Sequence, residues 1–176
     1  MSDKNPREES GAVRKESETV KGVDASTFRK PIKDLKVPKP ITLEMGSSVQ
    51  EALTMMQVKQ FGCVLITKDE KLAGILSERD IIAKALGEDV HPATIKVEDI
   101  MTPNPEWFQL DDSIAFAMTA MVMGGYRHVP VVDENSIPVA LVSVKDILGF
   151  IVEHFSQEIL DLSPGTARRK DVSPGK

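Results

Sequence analysis

The chain has 176 residues, of which 41% are hydrophobic and 28% charged, and its formal net charge is −5. This size suits one ordinary domain or two small units that share a core. The acidic balance argues against a broad basic surface for duplex nucleic acid, so we expect no nucleic-acid partner.

Three features of the sequence indicate the cellular compartment. The single cysteine, Cys63, cannot form an intrachain disulfide, which fits a reducing environment. The charged N-terminus lacks the apolar stretch of a signal peptide. The longest apolar stretch, residues 114–126, is shorter than the roughly 20 residues needed to cross a bilayer. We therefore expect a soluble cytoplasmic protein with no membrane span.

Both ends of the chain read as tails. Residues 1–27 have mixed charges and no apolar period, which predicts a disordered segment. Residues 157–176 repeat the letters SPG around a run of three basic residues and predict a second, basic disordered segment. Between the tails we place two repeats, residues 28–90 and 91–156.

The repeats are evident from the alignment of the chain with itself. A shift of 65 places Asp34 on Asp99 and Ser48 on Ser113. One extra residue near Ser136 changes the shift to 66. Identical residues then recur in three further pairs: Ser77 and Ser143, Asp80 and Asp146, and Ile81 and Ile147. A register held over this length indicates a duplicated structural unit.

Each repeat opens with a short helical turn, IKDL or VEDI, that is followed by prolines. A helix comes next, with Ser48 or Ser113 at its N-cap. Its apolar residues recur at i, i+3, i+4 and i+7, which forms one buried face. In the two repeats these residues are Val49, Ala52, Leu53 and Met56, and Ile114, Ala117, Met118 and Met121.

The second half of each repeat predicts a hairpin and a helix. CVLIT and HVPVVD predict buried strands, and LAGILS and VALVS predict their partners. The loops KDEK and DENS join them, and DIIAKAL or DILGFIVEHF closes the repeat as a helix. ITL and EWF predict one further strand per repeat. We expect an α/β (α+β) fold with a three-stranded sheet and flanking helices in each repeat. The two copies are expected to pack with pseudo-twofold symmetry, because about 60 residues are marginal alone.

A Ser-x-x-Asp element follows the last strand of each repeat: Ser77 and Asp80, then Ser143 and Asp146. One interpretation is a capping box that starts the closing helix. The other is a binding element, since a carboxylate can accept hydrogen bonds from two vicinal hydroxyls and a helix N-terminus favours a phosphate. The two roles are compatible, because the cap would hold the acid at the mouth of a cleft.

The repeats also resemble a known family. VEDIMTPNP, GGYRHVPVVDENS and ALVSVKDIL resemble the cystathionine-β-synthase-like (CBS) domain, and SSVQEAL and GILSERDII match it in the first repeat. The resemblance covers about residues 28–155 and implies a tandem pair that acts as a stand-alone, Bateman-type module. Such pairs commonly bind AMP, ADP, ATP or S-adenosylmethionine in two clefts. The resemblance implies that Asp80 and Asp146 hold ribose hydroxyls there.

The family pattern further implies that phosphates held by one repeat reach toward the other. The Asp80 cleft is then expected to face three cations of the second repeat: Arg127, His128 and Lys145. The Asp146 cleft is expected to face Arg79 alone. On this count the Asp80 cleft is the first choice for phosphorylated adenosine. A solvated Arg127 and an ordinarily packed His128 are the alternatives.

Adenine requires an apolar slot, and residues just after the prolines are candidate walls: Ile41, Thr42 and Trp107. Plain core packing is the alternative for Trp107. Cys63 lies in a strand-like apolar run and is expected to be buried and inert. We find no spacing typical of metal ligands and no nucleophile with a base, so we expect neither a metal site nor an enzyme.

We therefore predict a regulatory module that binds adenosine nucleotides, with or without magnesium and with no obligatory cofactor. It would sense the adenylate state and modulate a protein partner, and the CBS helices would form a homodimer. The alternative is a scaffold that dimerises or docks a partner without a ligand.

Overall fold

The computed structural model describes residues 25–85 and 91–154. The predicted N-terminal tail lies outside this range up to residue 24, and residues 25–27 belong to a helical turn. The predicted C-terminal tail lies wholly outside it. The first repeat has these elements: α1 Ala25–Phe28, a 3-10 turn Ile32–Asp34, β1 Thr42–Glu44, α2 Val49–Lys59, β2 Cys63–Lys68, β3 Lys71–Ser77 and α3 Glu78–Lys84.

The second repeat has a similar order, but its first short strand lies at the place of residues 37–38 and not at that of β1. Its elements are α4 Val97–Ile100, β4 Thr102–Pro103, α5 Ile114–Gly124, β5 His128–Val132, β6 Pro138–Ser143 and α6 Val144–His154. Among the described residues, no helix is long and apolar enough to cross a membrane. The mixed α/β fold with two related halves is thus confirmed.

Helices α2 and α5 begin at the predicted serines. Ser48 Oγ accepts a hydrogen bond from Glu51 N at 3.2 Å, and Glu51 accepts one from Ser48 N at 2.7 Å. Ser113 Oγ accepts from Ala115 N at 3.2 Å and donates to the carbonyl of Phe28 at 2.7 Å. These bonds satisfy helix N–H groups that have no partner within the helix, so both caps are confirmed.

The predicted apolar faces of the two helices lie in two separate cores. Val49, Ala52 and Met56 are buried in the core of the first repeat. Ile114, Ala117 and Met121 are buried in the core of the second. Leu53 and Met118 are only partly buried, at the margins of these cores.

The strand count differs from the predicted three per repeat. One sheet has four strands in the order β1–β2–β3–β4, and the other has two, β5–β6. In the first repeat, Leu65 N donates to Ile41 O at 2.9 Å and helps fix β1. Pro130 stands at the place of Leu65 in the second repeat and has no N–H to donate. The expected strand EWF is therefore reduced to a single bridge between Phe108 and Val131.

The two hairpin turns account for the change of shift. The β2–β3 turn consists of Asp69 and Glu70, both with positive φ (52° and 66°), as two-residue hairpin turns require. In the aligned register, Asp69 and Glu70 correspond to residues 134–136 of the β5–β6 turn, which contains Ser136 at φ 67°. The extra residue therefore lies in a turn, where it leaves the strands aligned.

The short leading turns that open the two repeats, Ile32–Asp34 and Val97–Ile100, are exchanged: each packs in the core of the other repeat. Ile32 N donates to Asp112 O at 2.8 Å, and its symmetric counterpart Val97 N donates to Ser47 O at 3.0 Å. Ile32 is fully buried in the core of the second repeat, and Val97 is fully buried in the core of the first. The matched bonds follow the shift of 65 and agree with pseudo-twofold symmetry.

A small third cluster joins the two hairpins. Side chains alternate along a strand, so Val64 and Ile66 face the core of the first repeat while Cys63 and Leu65 face away from it. Cys63 and Leu65 pack with Leu141 of β6, and all three are buried. Strand β2 is therefore covered on both faces, and the clefts described next lie beside this joint.

Candidate ligand clefts

Two cavities lie between the repeats, one at each Ser-x-x-Asp element. The Asp146 cleft has a volume of about 400 Å³ and is bounded by Ser143, Lys145 and Asp146 of the second repeat and by Pro38, Gln60 and Phe61 of the first. The Asp80 cleft has a volume of about 470 Å³. It is bounded by residues 77–80 of the first repeat and by residues 102, 104–106 and 124–126 of the second.

A shared wall separates the clefts. Gly62, Arg127 and His128 line both cavities. Gly62 and Arg127 occupy equivalent places in the repeats, and their carbonyls accept equivalent bonds from Glu78 N and Val144 N, both at 3.0 Å. The wall therefore lies where the two halves meet, and its arginine is available to either cavity.

Both Ser-x-x-Asp elements form capping boxes. Asp80 Oδ2 accepts from Ser77 N at 3.0 Å and from Ser77 Oγ at 2.5 Å. Asp146 Oδ2 accepts from Ser143 N at 2.7 Å and from Ser143 Oγ at 2.6 Å. The capping interpretation is confirmed. Since each cap uses Oδ2, the role of the other carboxylate oxygen depends on its neighbours.

The other carboxylate oxygen, Oδ1, has different neighbours in Asp80 and Asp146. Lys84 Nζ donates to Asp80 Oδ1 at 3.1 Å and to Ile100 O at 2.7 Å. The residue equivalent to Lys84 is Phe150, which is buried in the core of the second repeat. Within residues 25–85 and 91–154, no hydrogen bond reaches Asp146 Oδ1. Asp146 therefore has an oxygen, Oδ1, with no described donor, whereas Oδ1 of Asp80 already accepts a hydrogen bond from Lys84.

Two groups in the clefts have displaced pKa values. Burial alone would raise the pKa of Asp80, but the hydrogen bonds from Ser77 and the lysine Lys84 together lower it below 3.8. Burial lowers the pKa of His128 below 6.5, and Arg127 lowers it further, against the opposing charges of Asp146 and Glu78. His128 is thus mainly neutral at pH 7, so it adds little permanent charge to either cleft.

The predicted division of cations is wrong. Lys145 lines the Asp146 cleft and Arg79 lines the Asp80 cleft, whereas the sequence predicted the reverse. Each residue directly precedes its aspartate in the first turn of a helix, so it remains at the same cleft mouth. Because Arg127 lines both cavities, each cleft has two permanent cations among its described lining residues.

The acidic residues, in contrast, are divided unequally. The Asp80 cleft contains Glu78 and Glu106 in addition to Asp80. The Asp146 cleft contains no carboxylate besides Asp146 among its described lining residues. With Lys84, which pairs with Asp80 at 3.1 Å, counted beside the described lining residues, the Asp80 cleft has three carboxylates and three cations and a formal charge of 0. The Asp146 cleft has one carboxylate against two cations and a formal charge of +1.

The predicted adenine walls are also wrong. Ile41 is buried in the core of the first repeat, Thr42 is exposed on β1, and Trp107 is 49% exposed. None of the three lines a cleft. Ile41 directly precedes β1 and packs into the core of the first repeat, and Trp107 is neither a wall of a cleft nor a core residue.

The aromatic walls are instead Phe61 and Tyr126, which sequence reasoning missed. They occupy equivalent positions just before β2 and β5, and each lines the cleft named for the opposite repeat's aspartate. The signal was present in the repeat alignment, since the shift of 65 places one aromatic residue on the other. A search for aromatic residues at matched positions would have found them.

Replacing Gly124 by alanine is expected to displace the Tyr126 ring, because an added Cβ would overlap Cε1 of that ring. Tyr126 donates a hydrogen bond to Glu106, and burial together with this carboxylate raises the pKa of Tyr126 to about 12. In the variant we expect this pKa to fall toward 10. The chain has one tyrosine, so ultraviolet titration of the phenol measures it directly.

Gly149→Ala is the matched control for Gly124→Ala. Gly149 also lies in a helix, and an added Cβ there would meet no atom within 4 Å. In Gly149→Ala, Tyr126 should titrate as it does in the unmodified protein. An unchanged tyrosine pKa in Gly124→Ala would contradict the described packing of this corner of the Asp80 cleft.

Comparison with known proteins places these clefts in a family context. The family model for the CBS domain matches residues 32–87 and 97–153. The CBS domain-containing protein CBSCBSPB2 of Arabidopsis thaliana is 32% identical over 124 residues, which are 70% of this chain and 23% of that protein. The chain thus spans less than a quarter of the length of this curated relative.

Solved structures share the fold. The CBS domain pair of protein MJ0100, in complex with 5′-methylthioadenosine and S-adenosyl-L-methionine, is 28% identical with a TM-score of 0.63. The match covers 71% of this chain and 98% of that one. The CBS domain protein PAE2072 of Pyrobaculum aerophilum, complexed with AMP, has a TM-score of 0.63 at 21% identity and covers 72% of this chain and 98% of that one. At that identity the second likeness concerns the fold alone.

Proposed function

The chain belongs to the CBS-domain family, and from this premise we propose that it is a regulatory module that binds adenosine compounds in the clefts between its repeats. One observation carries the proposal. Asp146 stands at a helix N-terminus with one carboxylate oxygen held by Ser143 and with no described donor on the other. A fixed acceptor beside an apolar and cationic cavity is suited to a ribose with an adenine on one side and a charged group on the other.

The Asp146 cleft supplies each part of such a site. Oδ1 of Asp146 would accept hydrogen bonds from the ribose hydroxyls while Oδ2 stays in the cap. Phe61 and Pro38 offer apolar surface to adenine. Arg127 and Lys145 would meet phosphate oxygens, for which a guanidinium has matching geometry. MJ0100, 28% identical, was solved with adenosine ligands, and this supports the ligand class.

Regulation would follow from the position of the clefts. Each is lined by residues of both repeats, so a ligand stabilises one relative placement of the repeats over others. A ligand acts on a partner only through such a difference in affinity between states. We propose that a protein partner reads this placement, in the cytoplasm, where a lone buried thiol such as Cys63 is compatible with reducing conditions.

The expected result of a ligand panel is stabilisation by at least one adenosine compound. A ligand at one hundred times its Kd stabilises the folded state by about 2.7 kcal/mol, which should raise the Tm by several degrees. The panel should contain AMP, ADP, ATP, 5′-methylthioadenosine and S-adenosylmethionine, with and without magnesium, and thermal unfolding should be measured. Absence of a shift with every ligand would contradict the proposal.

Asparagine variants test whether the two aspartates are responsible. Asp80→Asn and Asp146→Asn retain an oxygen that can accept from the serine N–H, so the caps survive better than with alanine. Asp99→Asn is the matched control, because Asp99 also accepts a capping bond from Lys96 N, at 3.2 Å, and lines neither cleft. We expect ligand-dependent shifts to decrease in a cleft variant and to persist in the control.

A second candidate function, a scaffold that works without ligand, is favoured by an exposed apolar surface. Phe116 and Met123 of α5 are 62% and 82% exposed, and Leu148 of α6 is 55% exposed. Burying such side chains between copies would stabilise a homodimer through the helices. If sedimentation shows a dimer that Phe116→Ser weakens while no adenosine compound binds, the scaffold function stands in place of the sensor.

A further inference from the structure

We propose that the two clefts divide adenosine ligands by charge. The Asp146 cleft takes phosphorylated adenosine. The Asp80 cleft takes adenosine whose 5′ substituent carries no phosphate and is neutral or cationic, as a thioether or a sulfonium is. This inference rests on the proposed function and assigns a ligand class to each site, and it reverses the order predicted from the sequence.

The charge difference arises at aligned positions of the two repeats. Glu78 of the Asp80 cleft corresponds to Val144, which lines the Asp146 cleft. Glu106 corresponds to Ile41, which is turned into the core. The two added carboxylates therefore belong to one cleft only, while the lining cations remain matched: Arg79 corresponds to Lys145, and Arg127 is common to both.

Both extra carboxylates line the Asp80 cleft. Glu78 lines the Asp80 cleft next to Gly62 of the shared wall, since an added Cβ on Gly62 would lie 3.5 Å from Glu78 Oε2. Glu106 accepts the hydrogen bond of Tyr126, so its carboxylate is fixed at the rim. A phosphate monoester carries about −1.5 to −2 charges at pH 7 and would be repelled by both groups.

The hydrogen-bond partners of Asp80 and Asp146 favour the same division of ligands. Lys84 already donates to Asp80 Oδ1, so a ribose in that cleft must share the oxygen with an ammonium group. Asp146 Oδ1 accepts no described bond and stands in a cleft of net positive charge. A phosphorylated ligand thus finds both its ribose acceptor and its cations in the Asp146 cleft, whereas a sulfonium finds compensating carboxylates in the other.

Calorimetric titration with AMP, 5′-methylthioadenosine and S-adenosylmethionine tests the division. Asp146→Asn should weaken AMP binding at least tenfold and leave S-adenosylmethionine binding within about twofold. Asp80→Asn should do the opposite. If AMP binding instead depends on Asp80, or if both variants weaken both ligands equally, the division by charge is overturned.

A second set of variants isolates charge from shape. Glu78→Gln and Glu106→Gln keep the size of each side chain and remove one negative charge, so AMP affinity for the Asp80 cleft should rise by roughly three- to tenfold. Glu134→Gln, in the β5–β6 turn and outside both clefts, should leave every affinity unchanged. An unchanged AMP affinity in both cleft variants would also overturn the inference.

The two proposals fail in distinguishable ways. If no adenosine compound binds to the unmodified protein, the proposed function falls and this inference falls with it. If AMP and S-adenosylmethionine bind but show no preference between clefts, the proposed function stands and only the division by charge falls.

Discussion

Ile32→Ala is expected to lower the free energy of unfolding by about 2–5 kcal/mol, the range for removing a large aliphatic side chain from a core. Ile32 lies in a three-residue turn before the first strand, a place where substitutions are usually tolerated. It is nevertheless fully buried, in the core of the second repeat with Ile114 and Val129. Urea unfolding monitored by circular dichroism measures the loss, and Trp107 fluorescence reports on the second repeat.

Two further substitutions control for this result. Lys33→Ala changes the next residue of the same turn, whose side chain is 57% exposed and pairs with Asp111, so a much smaller loss is expected. Val97→Ala, at the symmetric position, should destabilise as Ile32→Ala does, by a smaller amount because fewer methyl groups are lost. A loss for Ile32→Ala no larger than that for Lys33→Ala would contradict the exchange of leading turns.

Thiol reagents are expected to modify Cys63 at least about a thousandfold more slowly in the folded protein than in the unfolded chain at pH 8. Burial, and then the nearby Glu78 and Asp80, raise the pKa of Cys63 from 9.0 to about 12. Since only the thiolate reacts, this difference in pKa lowers the reactive fraction by about three powers of ten. Burial of the sulfur slows the reaction further, so labelling should proceed mainly through opening of the fold.

The chain has one cysteine, so the release of the chromophore from an aromatic disulfide reagent follows a single site. The urea-unfolded protein gives the reference rate. Ligands that bind either cleft should slow labelling of the folded protein, because they stabilise the closed state. Equal rates for folded and unfolded protein would show that Cys63 is accessible and that the joint between the hairpins is open.

Much of the fold followed from the repeat. The shift of 65 and its change to 66 predicted two equivalent halves, and Ser48 and Ser113 marked their helices, because a cap is a local interaction that neighbouring residues determine. Strand pairing is not local. The loss of one strand depends on the absence of an N–H at Pro130, opposite a segment more than twenty residues away, and no periodicity reports such a pairing.

The site was predicted in part. Ser77, Asp80, Ser143 and Asp146 line two clefts as expected, since each lies at a fixed place between a strand and a helix. The partners of each aspartate were not predictable in this way, because the facing wall comes from the other repeat and its orientation is set by tertiary packing. Glu106 was overlooked for this reason, whereas Lys145 and Arg79 were assigned to the wrong clefts although each directly precedes its own aspartate.

The exchanged leading turns also have a consequence for assembly. A repeat separated from the chain would leave its core open where the other repeat's turn belongs, and its own turn would have no core to fill. Two free copies would close both cores only by meeting in solution. Fusion in one chain presents the second copy at an effective concentration on the order of millimolar, so the pairing no longer depends on dilution. The clefts, whose shared wall draws on both copies, are therefore maintained however little of the protein a cell makes.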